Sequence, residues 1–259
     1  MTERTIGFIG GGRIARILLG GWARAGRLPS RIVVSDPDET NLALLKQQTP
    51  AIEAAPGDNH WAASQQVVFL AAPPPVVVEA LRDVAGALTE DAIVVSLAPK
   101  FTISRITELL NGFARVARVI PNAPSLVGAG YNPLCFGHAI HDSERGEVRD
   151  LFESLGACPE VDENKLEAYA VLTAMGPTYF WPQFTALKQL AVEFGLTESE
   201  SHAGLAAMAA GALRAMTESR LDEHMLLDLI PAKPLGAELP AFCEAYRTRL
   251  AAVYEKIRP

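Results

Sequence analysis

The stretch GFIGGGRIARIL, residues 7–18, decides the fold. Its apolar start belongs to a β-rich run, Thr5–Ile9, and a helix-like pattern follows a glycine turn of the form GxGxxA. Gly10 permits the tight turn, Gly12 lets the backbone approach a pyrophosphate, and Ala15 is small enough for the helix to pack on the strand. The helix N-terminus adds N–H groups and partial positive charge. This context predicts a dinucleotide-binding turn, with a glycine turn that binds no nucleotide as the alternative.

Short apolar runs alternate with helix-like segments through the first half of the chain. The predicted strands are Thr5–Ile9, Arg31–Ser35, Val67–Ala71, Ile93–Leu97, Val116–Ile120 and Leu134–Phe136, with a short piece near Glu160–Val161. The predicted helices are Arg13–Ala25, Glu39–Gln47, Val76–Leu88, Ile103–Leu110 and Ser143–Leu155. Near-continuous apolar strands that alternate with helices indicate a parallel sheet covered on both faces.

Strand signals end at about residue 162, and helical patterns dominate from there. The predicted helices are Glu163–Ala174, Thr178–Phe194, Glu198–Glu218, Glu223–Leu229 and Ala237–Ile257. Gly176-Pro177 separates the first two, because proline cannot continue a helix. We therefore expect an α/β protein: an N-terminal Rossmann-type parallel-sheet domain, residues 1–162, followed by an all-helical C-terminal domain, residues 163–259.

Composition narrows the classes of function. The 259 residues carry a net charge of −7, which argues against nucleic acid as a partner, since phosphate binding needs a basic face. The N-terminus enters a strand pattern at once and leaves no room for a signal peptide, and no apolar run reaches the length of a membrane span. Cys135, Cys158 and Cys243 form no CxxC motif, so we expect a reduced, cytoplasmic protein. The His138–His141 pair lacks a third ligand, so we expect no metal site.

Asp36 lies about 20 residues beyond the glycine turn, at the end of the second predicted strand. A carboxylate there commonly accepts hydrogen bonds from the adenosine ribose hydroxyls, which favours NAD over NADP. The alternatives are that Asp36 ends a strand and faces solvent, or that Ser35 donates to a 2′-phosphate. The choice between NAD and NADP stays open at this point.

Loops at the carboxyl ends of parallel strands form the ligand edge of such a sheet. Four of the five such loops contain proline: Ser35–Pro37, Ala72–Pro75, Ala98–Phe101 and Pro121–Pro124. Proline fixes φ in advance, so these loops lose little entropy when a ligand binds, and they suit a rigid cofactor cradle. Lys100 in the third of these loops allows two interpretations. It contacts a cofactor phosphate or a substrate carboxylate, or it is a solvated surface lysine.

Three segments together resemble the pyrroline-5-carboxylate reductase family over nearly the whole chain. They are GFIGGGRIA at the start, VIPNAPSLVGAG in the middle, and GPTYFWPQFTALKQLAVEFGL at the start of the helical half. The resemblance implies NAD(P)H-dependent reduction of a cyclic imine to give proline, and a homodimer or higher homo-oligomer formed through the C-terminal helices. An imine bound as its iminium brings its own proton, so positioning against the nicotinamide can carry most of the catalysis.

The resemblance and the motif together predict the site residues. The expected cofactor contacts are Gly10, Gly12, Arg13, Ile14, Ser35, Asp36, Ala72, Pro73, Pro99 and Asn122. The expected catalytic and substrate residues are Asn122, beside the nicotinamide, and Gly176, Pro177 and Thr178 at the turn that opens the helical half.

The chain also departs from the family pattern. Pro73-Pro74 stands where the family has Lys-Pro, and Pro99-Lys100 stands where it has Ala-Gly. Ala123 replaces a Thr, and Thr173-Ala174-Met175 replaces a Ser-Gly-Ser. Leu229–Pro234 stands where the family has a Ser-Pro-Gly-Gly-Thr-Thr loop, and Lys233 is either a substitute charge or a solvated lysine. The substrate is therefore pyrroline-5-carboxylate or a related imine. Two alternatives are a dehydrogenase for a small carbonyl or hydroxy acid, with Lys188 as its acid, and a non-catalytic dinucleotide-binding protein.

Overall fold

The computed structural model describes residues 4–259, which divide into two compact units. One comprises the chain up to Met175 together with Tyr254–Pro259, and the other is Gly176–Val253. The division falls beyond the boundary expected after residue 162, because the segment that follows packs on the sheet-containing unit. Leu166 and Ala170 join Ile120 and Cys135 there in a buried apolar cluster.

A seven-stranded sheet forms the core of the first unit. Its strands and the two strands of a small second sheet are β1 Ile6–Ile9, β2 Ile32–Asp36, β3 Glu53–Pro56, β4 Val67–Leu70, β5 Ile93–Ser96, β6 Val116–Val119, β7 Gly130–Tyr131, β8 Leu134–Phe136 and β9 Gly156–Ala157. The large sheet has the order β3-β2-β1-β4-β5-β6-β8, parallel except for β8, which pairs antiparallel with β6. The first six strands have the Rossmann order, as the glycine turn predicts.

The helices of the first unit cover both faces of the sheet. They are α1 Arg13–Arg24, α2 Glu39–Gln48, α3 Asn59–Ala63, α4 Pro74–Val84, α5 Ile103–Leu109, α6 Asp142–Glu153 and α7 Leu166–Tyr169. On one face Phe8 stacks on Phe69 with ring centroids 4.8 Å apart, next to Trp22 and Phe152. A second apolar cluster fills the other face. The expected parallel sheet with two covered faces is confirmed.

Two elements between β2 and β4 were not predicted. β3 is the sequence EAAP, which has no β-branched residue, and α3 is a little more than one helical turn. Helix α3 lies so close to β1 that a Cβ on Gly7 would be 1.8 Å from the Ala62 carbonyl oxygen. The Gly7 position therefore needs a residue without a side chain.

Other expectations need correction. The expected strand near Glu160–Val161 is a single bridge between Leu134 and Glu160, because proline at 159 has no N–H to extend a ladder. The expected helix Glu163–Ala174 consists of a 3₁₀ turn, Glu163–Lys165, then α7, then a π-helical turn, Ala170–Ala174. In that turn the Met175 N–H donates to the Ala170 carbonyl, five residues back.

The remaining helices are α8 Pro177–Glu193, α9 Glu198–Glu218, α10 Glu223–Asp228, α11 Leu239–Ala245 and α12 Ala251–Ile257. Helix α9 has the predicted bounds, and Thr197 and Glu200 form its capping box at 3.2 and 2.8 Å. The expected single helix Ala237–Ile257 is divided by a π-helical turn, Tyr246–Leu250. Within residues 4–259, no helix combines the length and the apolar character needed to cross a membrane.

Candidate cofactor cleft

A cleft of about 1260 Å³ opens at the carboxyl ends of β1, β2 and β4, in the first unit. Six of the predicted cofactor residues line it: Gly10, Gly12, Arg13, Asp36, Ala72 and Pro73. Ile14, Ser35, Pro99 and Asn122 are not among its lining residues, and neither are Gly176, Pro177 and Thr178. The lining also includes residues that the sequence did not indicate, among them Arg16, Asn41, Asn59, Arg82 and Asp83.

The glycine turn leaves the base of the cleft open to a ligand. Gly10 has φ of 105°, and a Cβ there would lie 2.7 Å from the Ala71 carbonyl oxygen, so only glycine fits. A Cβ on Gly12 would have no described atom within 4 Å. Gly12 is the N-cap of α1 and has no side chain to accept the first N–H groups of that helix. These groups are therefore available to an anion in the cleft.

Asp36 ends β2 and faces the same cleft. Its side chain is only 7% exposed, and its two oxygens accept from the Gly11 N–H at 2.7 Å and the Asp38 N–H at 2.8 Å. The alternative in which Asp36 faces solvent is therefore wrong. The neighbouring Ser35 is fully buried.

A chain of polar contacts links β2 to α4 along one wall of the cleft. The Ser35 hydroxyl is 2.8 Å from Asn59 Oδ1, and Asn59 Nδ2 donates to Asp83 Oδ2 at 3.3 Å. His60 Nε2 lies 3.2 Å from the other Asp83 oxygen. Sequence reasoning missed this wall because α3 is too short to show a periodicity. The one available signal was Asp58, which caps α3 by accepting from the Trp61 N–H at 3.0 Å.

Asn122 lies in the loop after β6, is not among the lining residues of the cleft, and is held in one orientation by hydrogen bonds. Its side chain is 6% exposed; Nδ2 donates to the Thr173 carbonyl at 3.2 Å, and Oδ1 accepts from the Tyr131 N–H at 3.1 Å. A 3₁₀ helix, Ala123–Val127, follows directly. The amide is thus fixed by two backbone groups as well as by the prolines on either side of it.

The loop after β5, which contains Pro99, is fixed by a buried ion pair. Arg118 on β6 is fully buried, and its Nη2 atom lies 2.5 Å from Glu167 Oε1 on α7. The same Glu167 oxygen accepts from the Lys100 N–H at 3.1 Å, with Lys100 at φ of 78°. Glu163 Oε1 meets Arg118 Nη1 at 3.0 Å and the Ile103 N–H at 2.6 Å. An arginine inside the apolar run Val116–Ile120 was the signal in the sequence, because a buried guanidinium needs carboxylates.

The other candidate groups have structural surroundings. Lys100 is exposed, as expected of a solvated lysine. Lys188 Nζ pairs with Glu198 Oε2 at 3.2 Å on the surface of the second unit, where both side chains are exposed. His141 belongs to the N-cap of α6 with Glu144. Among the described residues, no group of three or more His, Cys, Asp or Glu side chains is placed to hold a metal ion.

Gly176, Pro177 and Thr178 lie at the start of α8. Gly176 is its N-cap, and Pro177 occupies the first helical position, where the missing N–H costs nothing. The predicted roles of these three residues in catalysis stay predictions. The segment Leu229–Pro234 is exposed, with Ile230 at 67%.

Known proteins resemble this chain in sequence and in fold. Residues 5–100 match the family described as NADP oxidoreductase, coenzyme F420-dependent. A pyrroline-5-carboxylate reductase of Corynebacterium melassecola is 30% identical over 244 residues, 93% of this chain and 89% of that protein.

Two solved structures extend the comparison. A pyrroline-5-carboxylate reductase from Coxiella burnetii is 26% identical, covers 99% of this chain and 95% of its own, and superposes with a TM-score of 0.70. The Plasmodium falciparum pyrroline carboxylate reductase with NADP bound is 19% identical at the same coverage, with a TM-score of 0.75.

Proposed function

Because the chain belongs to the pyrroline-5-carboxylate reductase family, we propose that it is an NAD(P)H-dependent oxidoreductase that reduces the C=N bond of pyrroline-5-carboxylate. The observation that carries the cofactor half of this function is the cleft at the carboxyl ends of β1, β2 and β4. Open space over Gly12, the N–H groups of α1 and the fixed Asp36 carboxylate suit a dinucleotide.

The residues of the chain hold and orient the reactants. A reduced nicotinamide cofactor supplies the hydride. Gly10, Gly12 and the first turn of α1 bind the pyrophosphate, and Asp36 binds the adenosine end. Pro73 forms a rigid part of the cleft wall. The Pro99 loop lies outside the lining residues and is held in place because the Lys100 N–H donates to Glu167.

Asn122 acts by position. Its amide is fixed by Thr173 and Tyr131, so it keeps its orientation before any ligand binds. Such pre-organisation is the main contribution a protein can make to hydride transfer onto an iminium, which needs no separate acid. We place Asn122 beside the nicotinamide, and Gly176, Pro177 and Thr178 in the substrate pocket.

Departures from the family pattern leave room for a related imine as substrate. The exposed Leu229–Pro234 segment offers few fixed donors for a proline-type carboxylate, and Ala123 adds no hydroxyl beside Asn122. A panel of cyclic imines with and without a ring carboxylate is therefore the substrate set to use.

A homodimer through the C-terminal helices fits the surface of the second unit. Helix α9 carries Leu213 and Met216, three residues apart, at 63% and 67% exposure, and Phe194 before it is 81% exposed. Apolar side chains at this density mark an interaction surface. Leu213→Glu is expected to shift the protein toward monomer in light scattering, whereas Arg214→Glu on the same turn is not.

We place the enzyme in the cytoplasm because its three cysteines are free thiols. We propose no nucleic-acid partner because the net charge is −7.

The direct test is consumption of NADH or NADPH with pyrroline-5-carboxylate and the related imines. We expect turnover with at least one imine, and Asn122→Ala to lower kcat while the protein remains folded. Asn164→Ala, at an exposed position of the 3₁₀ turn Glu163–Lys165, is the matched control. A folded protein that binds either cofactor and reduces none of these imines would refute the proposed reaction.

A further inference from the structure

The adenosine end of the cleft is unusually well defined by hydrogen bonds. Asp36 is held from both sides, by the Gly11 N–H on the glycine turn and by the Asp38 N–H at the start of α2. A carboxylate has about four acceptor sites, and these two N–H groups occupy one on each oxygen. Asn41 Nδ2, at 3.4 and 3.5 Å, makes only marginal contacts with both oxygens. The free acceptor sites are available to neighbouring hydroxyl groups of a ligand.

The hydroxyl of the preceding residue, Ser35, is already committed. Ser35, which could have donated to a 2′-phosphate, is fully buried and makes its 2.8 Å contact with Asn59 Oδ1. Asn59 in turn donates to Asp83, so the wall that continues from Ser35 ends in a second carboxylate on the cleft lining. The Ser35 hydroxyl is therefore not available to a 2′-phosphate, and the Asp83 carboxylate adds negative charge to the cleft lining.

The loop after β2 adds negative charge and no cation. Between Ser35 and Leu45 the sequence has Asp36, Asp38 and Glu39, and no lysine or arginine. The cations of the cleft are Arg13 and Arg16 on α1 and Arg82 on α4. Arg13 is the first residue of α1, next to Gly12, at the helix end where a pyrophosphate binds.

We infer that this cleft selects NADH over NADPH, and that Asp36 is the residue that determines the selectivity. Its carboxylate accepts hydrogen bonds from the ribose 2′- and 3′-hydroxyls of NADH, and it repels the 2′-phosphate of NADPH at close range. This inference rests on the proposed function only for the presence of a nicotinamide cofactor. It does not depend on which imine is reduced.

The test is direct binding, measured by calorimetry with NADH and NADPH on the full-length wild-type protein. NADH is expected to bind at least about tenfold more tightly than NADPH. ADP-ribose and 2′-phospho-ADP-ribose, which lack the nicotinamide, are expected to show the same order. Equal or tighter binding of the phosphorylated member of either pair would overturn the inference.

Two variants separate Asp36 from general charge effects. Asp36→Asn removes the charge but keeps an oxygen for the Gly11 N–H, and is expected to bring the two dissociation constants within about threefold of each other. Asp38→Asn removes a charge two residues away, outside the cleft lining, and asparagine still caps α2. It is expected to keep the wild-type ratio.

The outcomes distinguish the two proposals. If a folded Asp36→Asn protein keeps the wild-type ratio of the NADPH and NADH dissociation constants, the role of Asp36 is overturned. If Asp38→Asn brings the two constants together, the selectivity is due to net charge instead. A larger loss of NADPH than of NADH binding in Arg13→Ala, together with tighter NADPH binding by the wild type, would assign a 2′-phosphate site to Arg13. Binding of neither nucleotide would defeat the proposed function itself, whereas turnover with NADPH preferred would defeat only the selectivity.

Discussion

Breaking the buried ion pair between Arg118 and Glu167 should lower the free energy of unfolding more than breaking any surface ion pair among residues 4–259. Both side chains are 1% exposed, and the two atoms in contact are 2.5 Å apart. Replacing Glu167 with Gln keeps the shape and an oxygen for the Lys100 N–H, but leaves the buried guanidinium without a full counter-charge. Removing one partner of such a pair costs about 3–5 kcal/mol.

The lower end of that range applies here. Glu163 still meets Arg118 Nη1 at 3.0 Å, and its side chain is 34% exposed, so it can compensate in part. We expect Glu167→Gln to lower the free energy of unfolding by about 3 kcal/mol. For a chain of this size that corresponds to a fall in Tm of roughly 6–12 °C.

The assay is urea unfolding followed by circular dichroism, with Glu163→Gln as the matched control. Because solvent reaches Glu163, its substitution should cost less than about 1 kcal/mol. The double variant Arg118→Met/Glu167→Leu replaces the pair with apolar side chains and should be more stable than Glu167→Leu alone. A Glu167→Gln protein whose free energy of unfolding is within about 1 kcal/mol of the wild-type value would refute this account.

Four further predictions use other positions. Gly12→Ala should fold with wild-type Tm, because a Cβ there meets nothing, yet lose at least about tenfold in nucleotide affinity; unchanged affinity in a calorimetric titration would contradict the assigned pyrophosphate site. Gly7→Ala should lower Tm strongly, because its Cβ would collide with a backbone carbonyl, and a wild-type melting curve would argue against the packing of α3 on β1. Burial raises the pKa of the Cys135 and Cys158 thiols to about 12, so both stay neutral in the fold, whereas thiols of the unfolded chain ionise above about pH 8.5. The contribution of these two groups to the free energy of unfolding is therefore fully present below about pH 8.5 and should be lost as the pH rises toward 12. A variant with both cysteines replaced by alanine that loses stability equally steeply with pH would contradict this. At pH 8 a thiol reagent should label the exposed Cys243 first, as counted by mass spectrometry against Cys243→Ala.

The sequence predicts those parts of the molecule that depend on local pattern. The glycine turn and the capped helix α9 follow from spacing within a few residues, and the alternation of apolar runs with helical patterns predicts the parallel sheet. Helix α3 and strand β3 were missed because a short element without periodicity or β-branched residues carries no local signal.

Contacts between distant residues could not be predicted in the same way. The sequence singles out Asn122 as a candidate site residue, but its hydrogen-bond partner Thr173 lies 51 residues away, and Glu167, the partner of Arg118, lies 49 residues away. A buried arginine indicates that carboxylates exist somewhere, not which of several acidic residues the fold brings to it. The commitment of the Ser35 hydroxyl to Asn59 is likewise visible only in three dimensions.

The π-helical turn before Gly176 has a consequence for how this sequence can evolve. In a regular helix the Thr173 carbonyl would accept from the N–H of residue 177, which is a proline and has none. That carbonyl accepts instead from the Asn122 side chain. A mutation of Pro177 would restore a competing donor and would therefore change the effect of a mutation at Asn122. The two positions, 55 residues apart in sequence, should show epistasis, and each restricts the substitutions that the other can accept.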